Sequence, residues 1–210
     1  LPVVEIGCDA SASWAKRYEH LVAWNSIEDI AKEIVGYTPE GRWTCANGKD
    51  IHFIITGGEP MMSPNLWRLL DWIQTQGDMM NPDMRIAINS NLGAKQSIID
   101  RFKTKLKGFR NFHLYTSCEA TFQQAEYIRD GLNYSEWHSQ VLHMMVDRVP
   151  SEIHNMATIN ALCLESLPEF LEKIIWFKNA GKVYGPTMNF TLNILRFPSF
   201  QSPLVLPDDL

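Results

Sequence analysis

The sequence predicts an α/β protein built around a mainly parallel sheet. Short apolar, β-branched runs alternate with segments whose apolar residues recur at helical spacing. The length of 210 residues suits one domain, and 45% hydrophobic with 20% charged residues is typical of a folded globular chain. Because parallel strands need crossover connections, this alternation favours either an open doubly wound sheet or a full or partial barrel.

The first predicted strand, residues 1–7, precedes two predicted helices. Residues 13–24 set four large side chains near one helical face, where they serve best as core anchors: Trp14, Tyr18, Leu21 and Trp24. Residues 26–37 open with Ser26 as N-cap, followed by Glu28 and Asp29 in the first turn. Acidic residues in the first turn interact favourably with the helix dipole, so a second helix is expected there.

The rest of the chain repeats a strand-then-helix pattern. Strand 51–56 passes into helix 63–77, which has Pro64 near its start and Gly77 past its end. Further strands are predicted at residues 84–90, 112–117, 156–162 and 188–195, and further helices at residues 95–109, 125–148 and 167–181. Six strands separated by helices predict a sheet whose strands run largely in one direction.

Charge and cysteine content exclude several classes of protein. The formal charge of -5 argues against a nucleic-acid binder, which normally carries a basic stripe. The four cysteines are widely spaced, which favours a reducing, cytoplasmic setting. Neither a signal peptide nor an apolar run long enough to cross a bilayer is found, and both chain ends are expected to be cuts within a longer protein.

Small and polar residues cluster where the predicted strands end. Parallel strands place their carboxyl ends at one rim, and functional groups of such folds gather in the loops there. The expected rim residues are Cys8, Asp9, residues 57–60, residues 89–92, residues 117–120, Asn160 and Asn193. This composition predicts a binding site.

The stretch Gly57, Gly58, Glu59, Pro60 is the most informative part of that rim. Glycines permit unusual φ values and let a ligand approach the backbone, and Pro60 fixes the exit path. The Glu59 carboxylate beside exposed carbonyls suits an ammonium group. A phosphate loop of the GxxxxGK or GxGxxG type is not found. The simpler alternative is a tight turn with a solvated glutamate.

The segment "ITGGEPMMSPNLWRLL", together with the order of elements, resembles the radical S-adenosylmethionine (SAM) superfamily. The resemblance implies a partial (β/α)6 TIM-like barrel over residues 1–197. Residues 198–210 resemble the start of the exit segment of members that carry a C-terminal twitch domain. In that superfamily the motif binds the amino group of SAM, a role that falls here to Gly57, Gly58 and Glu59. Only this motif is specific by itself.

The resemblance also implies cofactor contacts from the later loops. These are Ser90, Asn91, Ser117, Glu119 and Arg129, and the rim residues Pro60 and Asn160 are expected to join them in binding the cofactor. Ser90 and Asn91 match a Thr-Asn-Gly-like family turn, in which Leu92 departs from the glycine. Ser117 would face the ribose or carboxylate of SAM, and Arg129 would bind the carboxylate. The alternative for Arg129 is a surface ion pair with an acid such as Glu126.

One departure from the family concerns the metal ligands. Radical SAM enzymes hold a 4Fe-4S cluster with Cys-x3-Cys-x2-Cys after the first strand. Here Cys8, Ala12 and Ala15 stand at those positions, so two of the three thiolates are replaced and Cys8 is at best a weak ligand. Three explanations stay open: an engineered variant of an active enzyme, a natural member that has lost its cluster, or a coincidence of spacing.

The leading hypothesis is the core of a radical SAM enzyme. The resemblance implies a 5′-deoxyadenosyl radical that abstracts hydrogen from an unknown small molecule or peptide, with an electron donor such as a flavodoxin or ferredoxin. The alternative is a catalytically silent barrel that binds SAM or a nucleotide, or acts as a partner subunit. An unrelated α/β barrel with a sugar or nucleotide ligand is the third possibility. The histidines, including His52, His113 and His143, are expected to satisfy local hydrogen bonds rather than bind metal.

Overall fold

The computed structural model describes residues 3–8, 35–37, 43–45, 51–56, 58–75 and 85–207. The predicted helix at residues 13–24 lies outside these ranges, as does most of the predicted helix at residues 26–37. Gly57, Ala12 and Ala15 also lie outside them.

The described residues form an α/β fold around a six-stranded sheet. Its strands, in chain order, are β1 (Val3–Cys8), β4 (Ile51–Thr56), β5 (Arg85–Asn89), β6 (Phe112–Thr116), β7 (Glu152–Ile159) and β8 (Thr187–Ile194), and this is also their order across the sheet. Strands β4 to β8 run parallel. Strands β2 (Val35–Tyr37) and β3 (Trp43–Cys45) form a separate two-stranded ribbon. The predicted mainly parallel α/β sheet is therefore confirmed.

Helices occupy the connections between the parallel strands. They are α1 (Pro64–Thr75), α2 (Gln96–Leu106), α3 (Phe122–Ile128), α4 (Tyr134–Val146) and α5 (Leu167–Tyr184). The apolar residues that predicted α1 are buried at helical spacing: Leu66, Leu69, Leu70 and Ile73. No helix in the described part of the chain is long and apolar enough to cross a membrane.

The two faces of the sheet have different environments. Trp137 of α4 is buried against Phe170 and Phe177 of α5, and its Nε1 donates to Thr116 Oγ1 at 2.9 Å. The helices therefore cover the face of β6 that carries Thr116. Side chains alternate along a strand, so the neighbouring residue Tyr115 points to the opposite face.

Several element boundaries differ from those predicted. Strand β7 begins at Glu152 instead of residue 156, because its polar residues alternate with buried ones and conceal the strand from a search for apolar runs. The predicted helix 125–148 breaks after α3, where Gly131 has a φ of 79° and Asn133 caps α4 by accepting from the Glu136 amide. Residues 35–37, predicted as a helix end, form β2 instead.

Strand β1 runs opposite to the direction that was predicted. It pairs antiparallel with β4, so that Val3 faces Thr56 and Cys8 faces Ile51. The prediction that Cys8 lies at the same rim as residues 57–60 is therefore wrong for this structure. Residues 9–50 connect the two strands, and a connection of that length permits either direction, so no local signal fixed the choice.

Candidate functional site

The carboxyl edge of the parallel strands begins with the turn that follows β4. Glu59 is the N-cap of a short 3-10 turn, Pro60–Met62, and its Oε1 accepts from the Met61 amide at 3.2 Å. A side-chain acceptor at this position satisfies an amide that the turn itself leaves unpaired. Pro60 is buried and fixes the direction in which the chain leaves the strand.

Glu59 also ties the loop after β4 to the loop after β5. Ser90 Oγ donates to Glu59 Oε1 at 2.8 Å, and the Asn91 amide donates to Oε2 at 2.8 Å. A carboxylate offers about four acceptor positions, and three are filled by protein donors here. The remaining position is on Oε2, which can accept one more donor.

Gly58 gives this turn an open side. Its φ is +57°, a conformation that glycine adopts without strain, and it is exposed. A Cβ built at this position would meet no atom within 4 Å. A small ligand can therefore approach the backbone beside Glu59.

The loop after β5 is held by two local hydrogen bonds. Ser90 Oγ accepts from the Leu92 amide at 3.0 Å, and Asn91 Oδ1 accepts from the Gly93 amide at 2.8 Å. Leu92 has a φ of 58°, which costs a non-glycine residue roughly 1–2 kcal/mol. Its side chain is 1% exposed, and full burial of a leucine contributes roughly 1.5–3 kcal/mol, which offsets that strain. Leucine thus occupies a glycine-like turn position.

The loop after β6 carries a buried ion pair. Arg129 donates through Nε and Nη2 to Glu119 Oε2, at 2.9 and 2.6 Å. Burial raises the pKa of Glu119, and the guanidinium of Arg129 offsets part of that rise. Glu126, the alternative partner considered for Arg129, instead accepts from the Tyr134 amide. The predicted cofactor residues Glu119 and Arg129 are therefore partners of each other.

Cys118 lies between Ser117 and Glu119 and is a buried free thiol. Its Sγ donates to the Ala120 carbonyl, and its own carbonyl accepts from Asn155 Nδ2 of β7. Burial raises the pKa of Cys118 to about 12, so the sulfur stays protonated at neutral pH. Because the thiolate is the metal-binding form, Cys118 is a structural residue, while the half-buried Ser117 can face a ligand.

Asn160 follows β7 and caps the short turn that comes after it. Its Oδ1 accepts from the Leu162 amide at 2.9 Å, and its backbone amide donates to Cys163 Sγ at 3.3 Å. The side chain is 5% exposed. Of the predicted site residues, Glu59, Ser90 and Asn91 are thus in direct contact, Glu119 and Arg129 form a second pair, and Asn160 caps a turn.

The residues present do not fit a 4Fe-4S cluster. Two of the three ligand positions are alanine in the sequence. Cys8 faces Ile51, which is five residues before Thr56 along β4 and therefore about 17 Å from the turn that contains Glu59. One distant thiolate cannot replace a set of three.

A polar cluster that was not predicted lies on the sheet face opposite the helices. His154 of β7 stacks on Tyr115 of β6 with ring centroids 4.3 Å apart, and on His113 at 5.5 Å. Glu152 Oε2 lies 3.0 Å from His154 Nε2 and accepts from Asn189 Nδ2 at 3.0 Å. A period-two pattern of polar residues along β6 and β7 was the available signal. Polar residues interrupt the apolar runs in both strands, so this pattern does not stand out as a run of apolar residues.

Burial also alters the acid–base behaviour of that cluster. It lowers the pKa of His154, and the nearby carboxylate of Glu152 opposes part of the shift. The imidazole of His154 is therefore neutral at pH 7 and keeps a lone pair for a proton or a cation.

Comparisons with models of known protein families, with curated proteins and with solved structures find no match.

Proposed function

We propose that this chain is a SAM-binding domain of the radical SAM type, with its site at the carboxyl edge of the parallel strands. The observation that carries the proposal is the position of Glu59. Its carboxylate joins the loops after β4 and β5, lies beside an open glycine turn, and retains one acceptor position. An ammonium group is a donor of the right charge for that position.

The proposed architecture is a partial (β/α)6 barrel. Strands β4 to β8 follow one another across the sheet in chain order. Right-handed crossovers then place the connecting helices on one face, whereas a doubly wound sheet reverses its strand order. This order supports a barrel-like core with the polar face of β6 and β7 turned inward.

Other groups at the same edge suit the remaining parts of SAM. The Ser117 hydroxyl can donate to a ribose hydroxyl or to a carboxylate. Arg129 is 32% exposed, yet both of its contacts are to Glu119, so a ligand carboxylate would compete with Glu119 for the guanidinium. The ammonium contact of Glu59 is therefore expected to contribute more to affinity than Arg129 does.

The activity proposed for the chain as it stands is binding without radical chemistry. One cysteine and two alanines do not hold the cluster, so no radical step is assigned to these residues. A cytoplasmic location belongs to the same proposal, and the free buried thiols of Cys118 and Cys163 support it.

A second candidate is a radical SAM enzyme, favoured by the spacing of Cys8, Ala12 and Ala15. It requires cysteine at all three positions and a direction of β1 that brings Cys8 to the edge where Glu59 lies. It also requires an electron donor such as a flavodoxin or ferredoxin, and a small-molecule or peptide substrate.

The test is calorimetric titration of the intact chain with SAM, beside Glu59→Gln. Glutamine keeps an acceptor for Ser90 but removes the charge, and a hydrogen bond to a charged group contributes about 1.5–3 kcal/mol. We therefore expect the SAM dissociation constant to rise roughly 10- to 100-fold. The matched control is Glu172→Gln on an exposed position of α5, which should bind as the original chain does.

Thermal melting of each variant separates a lost contact from a lost fold. Unchanged SAM affinity of a folded Glu59→Gln protein would exclude the proposed ammonium site. Failure of the original chain to bind SAM would leave the sugar- or nucleotide-binding barrel as the better explanation.

A further inference from the structure

Three side chains of metal-ligating types converge on the sheet face opposite the helices, near the amino ends of β6 and β7. His113 faces Glu152 across the parallel ladder, and His154 lies two residues farther along β7. Residues two apart on a strand point to the same face, and so do residues that face each other across a ladder. The three side chains therefore share one face.

The distances between their donor atoms approach those around one metal ion. Glu152 Oε2 lies 3.0 Å from His154 Nε2 and 3.7 Å from His113 Nδ1, and the three atoms all lie within 4.8 Å of one another. An ion about 2.0–2.2 Å from each ligand keeps neighbouring donors roughly 3.0–3.5 Å apart. Small side-chain rotations close the remaining difference.

The positions of the ring nitrogens in the cluster favour a cation. His113 Nε2 lies 2.8 Å from Asn111 Oδ1, and Nδ1, the other ring nitrogen, lies 3.7 Å from Glu152 Oε2. His154 Nε2 is buried 3.0 Å from the same carboxylate without the alignment of a hydrogen bond. Ligand atoms of all three side chains thus lie close enough to share one ion.

Neighbouring amides hold two of these ligands in the manner of an outer coordination shell. Asn111 fixes the His113 ring through its second nitrogen, and Asn189 of β8 donates to Glu152 Oε2 at 3.0 Å. Metal-bound histidines and carboxylates in proteins generally have such partners, which set tautomer and orientation. A cluster of exposed acids would lack them.

From this geometry we propose that His113, Glu152 and His154 form a site for one divalent transition-metal ion of the zinc class. Two imidazoles and one carboxylate are the ligands of catalytic zinc sites, in which the fourth position stays open. The Glu152 side chain is 38% exposed, so the open position faces solvent. The site lies about 20 Å along β7 from the carboxyl edge at Asn160, and it does not depend on the proposed SAM site.

The test titrates the chelator-treated chain with Zn²⁺ and, as a spectroscopic substitute, with Co²⁺. Cys8 and Cys45 are replaced by serine in all samples, because cysteine thiolates also bind these ions. We expect one ion per chain and visible Co²⁺ bands typical of nitrogen and oxygen ligands. Mg²⁺, which prefers oxygen ligands in octahedral geometry, should not compete.

Two variants test whether the proposed ligands bind the ion. Glu152→Gln retains an acceptor for Asn189 and His154→Ala removes one imidazole; each should weaken Zn²⁺ binding at least about 10-fold, since even outer-shell changes cost 10- to 100-fold. The control His143→Ala, on an exposed position of α4, should bind normally. Equal Zn²⁺ affinity in the control and in both folded variants would overturn the site, as would no binding by the original cluster.

Discussion

Glu119 is a buried carboxylate in the loop after β6. It is 4% exposed and its carboxylate depends on one guanidinium, that of Arg129. Because burial raises its folded-state pKa above the unfolded value, the folded protein binds the proton more tightly than the unfolded chain does. The contribution of Glu119 to the free energy of unfolding therefore decreases as pH rises from its pKa in the unfolded chain to its pKa in the folded protein.

The variant Glu119→Gln should remove that pH dependence. We expect the free energy of unfolding of Glu119→Gln, relative to the original chain, to shift in favour of the variant as pH rises from 4 to 7. Urea unfolding at several pH values measures the difference. Glu165→Gln, which removes one negative charge at an exposed position, is the control. A flat difference for Glu119→Gln would mean that Arg129 fully balances the buried charge.

At the level of elements, the direction of β1 decides which edge of the sheet Cys8 occupies. Facing residues of an antiparallel pair have Cα atoms about 4.5–5.5 Å apart, which is within the range that a disulfide spans. Cys8 faces Ile51. Ile51→Cys should therefore form a disulfide with Cys8 under mild oxidation, detected by peptide mapping and mass spectrometry.

The matched control for that disulfide is Thr56→Cys. In this structure Thr56 faces Val3, so a cysteine there has no thiol opposite it in β1. A parallel β1, as the radical SAM resemblance implies, would instead bring Cys8 near the carboxyl end of β4. A disulfide in Thr56→Cys but not in Ile51→Cys would thus show that β1 runs parallel to β4.

For the whole molecule, restoring the missing cysteines tests the second candidate function. Ala12→Cys with Ala15→Cys supplies three thiolates at the family spacing. If β1 keeps the antiparallel direction seen here, we expect no SAM cleavage after anaerobic reconstitution with iron and sulfide, because Cys8 then lies beside Ile51, at the opposite end of β4 from Glu59. The measurement is 5′-deoxyadenosine formed with SAM and dithionite.

The control for reconstitution is the chain as it stands. Formation of 5′-deoxyadenosine by the restored protein alone would establish the radical enzyme and would show that β1 can adopt the other direction. Failure of the restored protein would leave SAM binding untouched as a separate proposal.

The parallel core was predictable because apolar runs alternate with segments of helical period, although the break between α3 and α4 was missed. Strand direction is a tertiary property, so the reversed β1 had no counterpart in the local sequence. The loop residues Glu59, Ser90 and Asn91 were predicted together because parallel strands end at one edge. His113 was expected to make a local hydrogen bond, and it does contact Asn111. Its partner across the ladder, Glu152, could not be predicted, because the sequence does not give the register between β6 and β7.

Strand β8 ends the sheet, and no described strand pairs with its outer edge. Leu192 and Ile194 on this strand are 48% and 46% exposed. A sheet edge beside exposed apolar side chains is a template for strand addition. Concentrated samples of the chain should therefore self-associate through β8, and a partner strand that covered this edge would keep the chain monomeric.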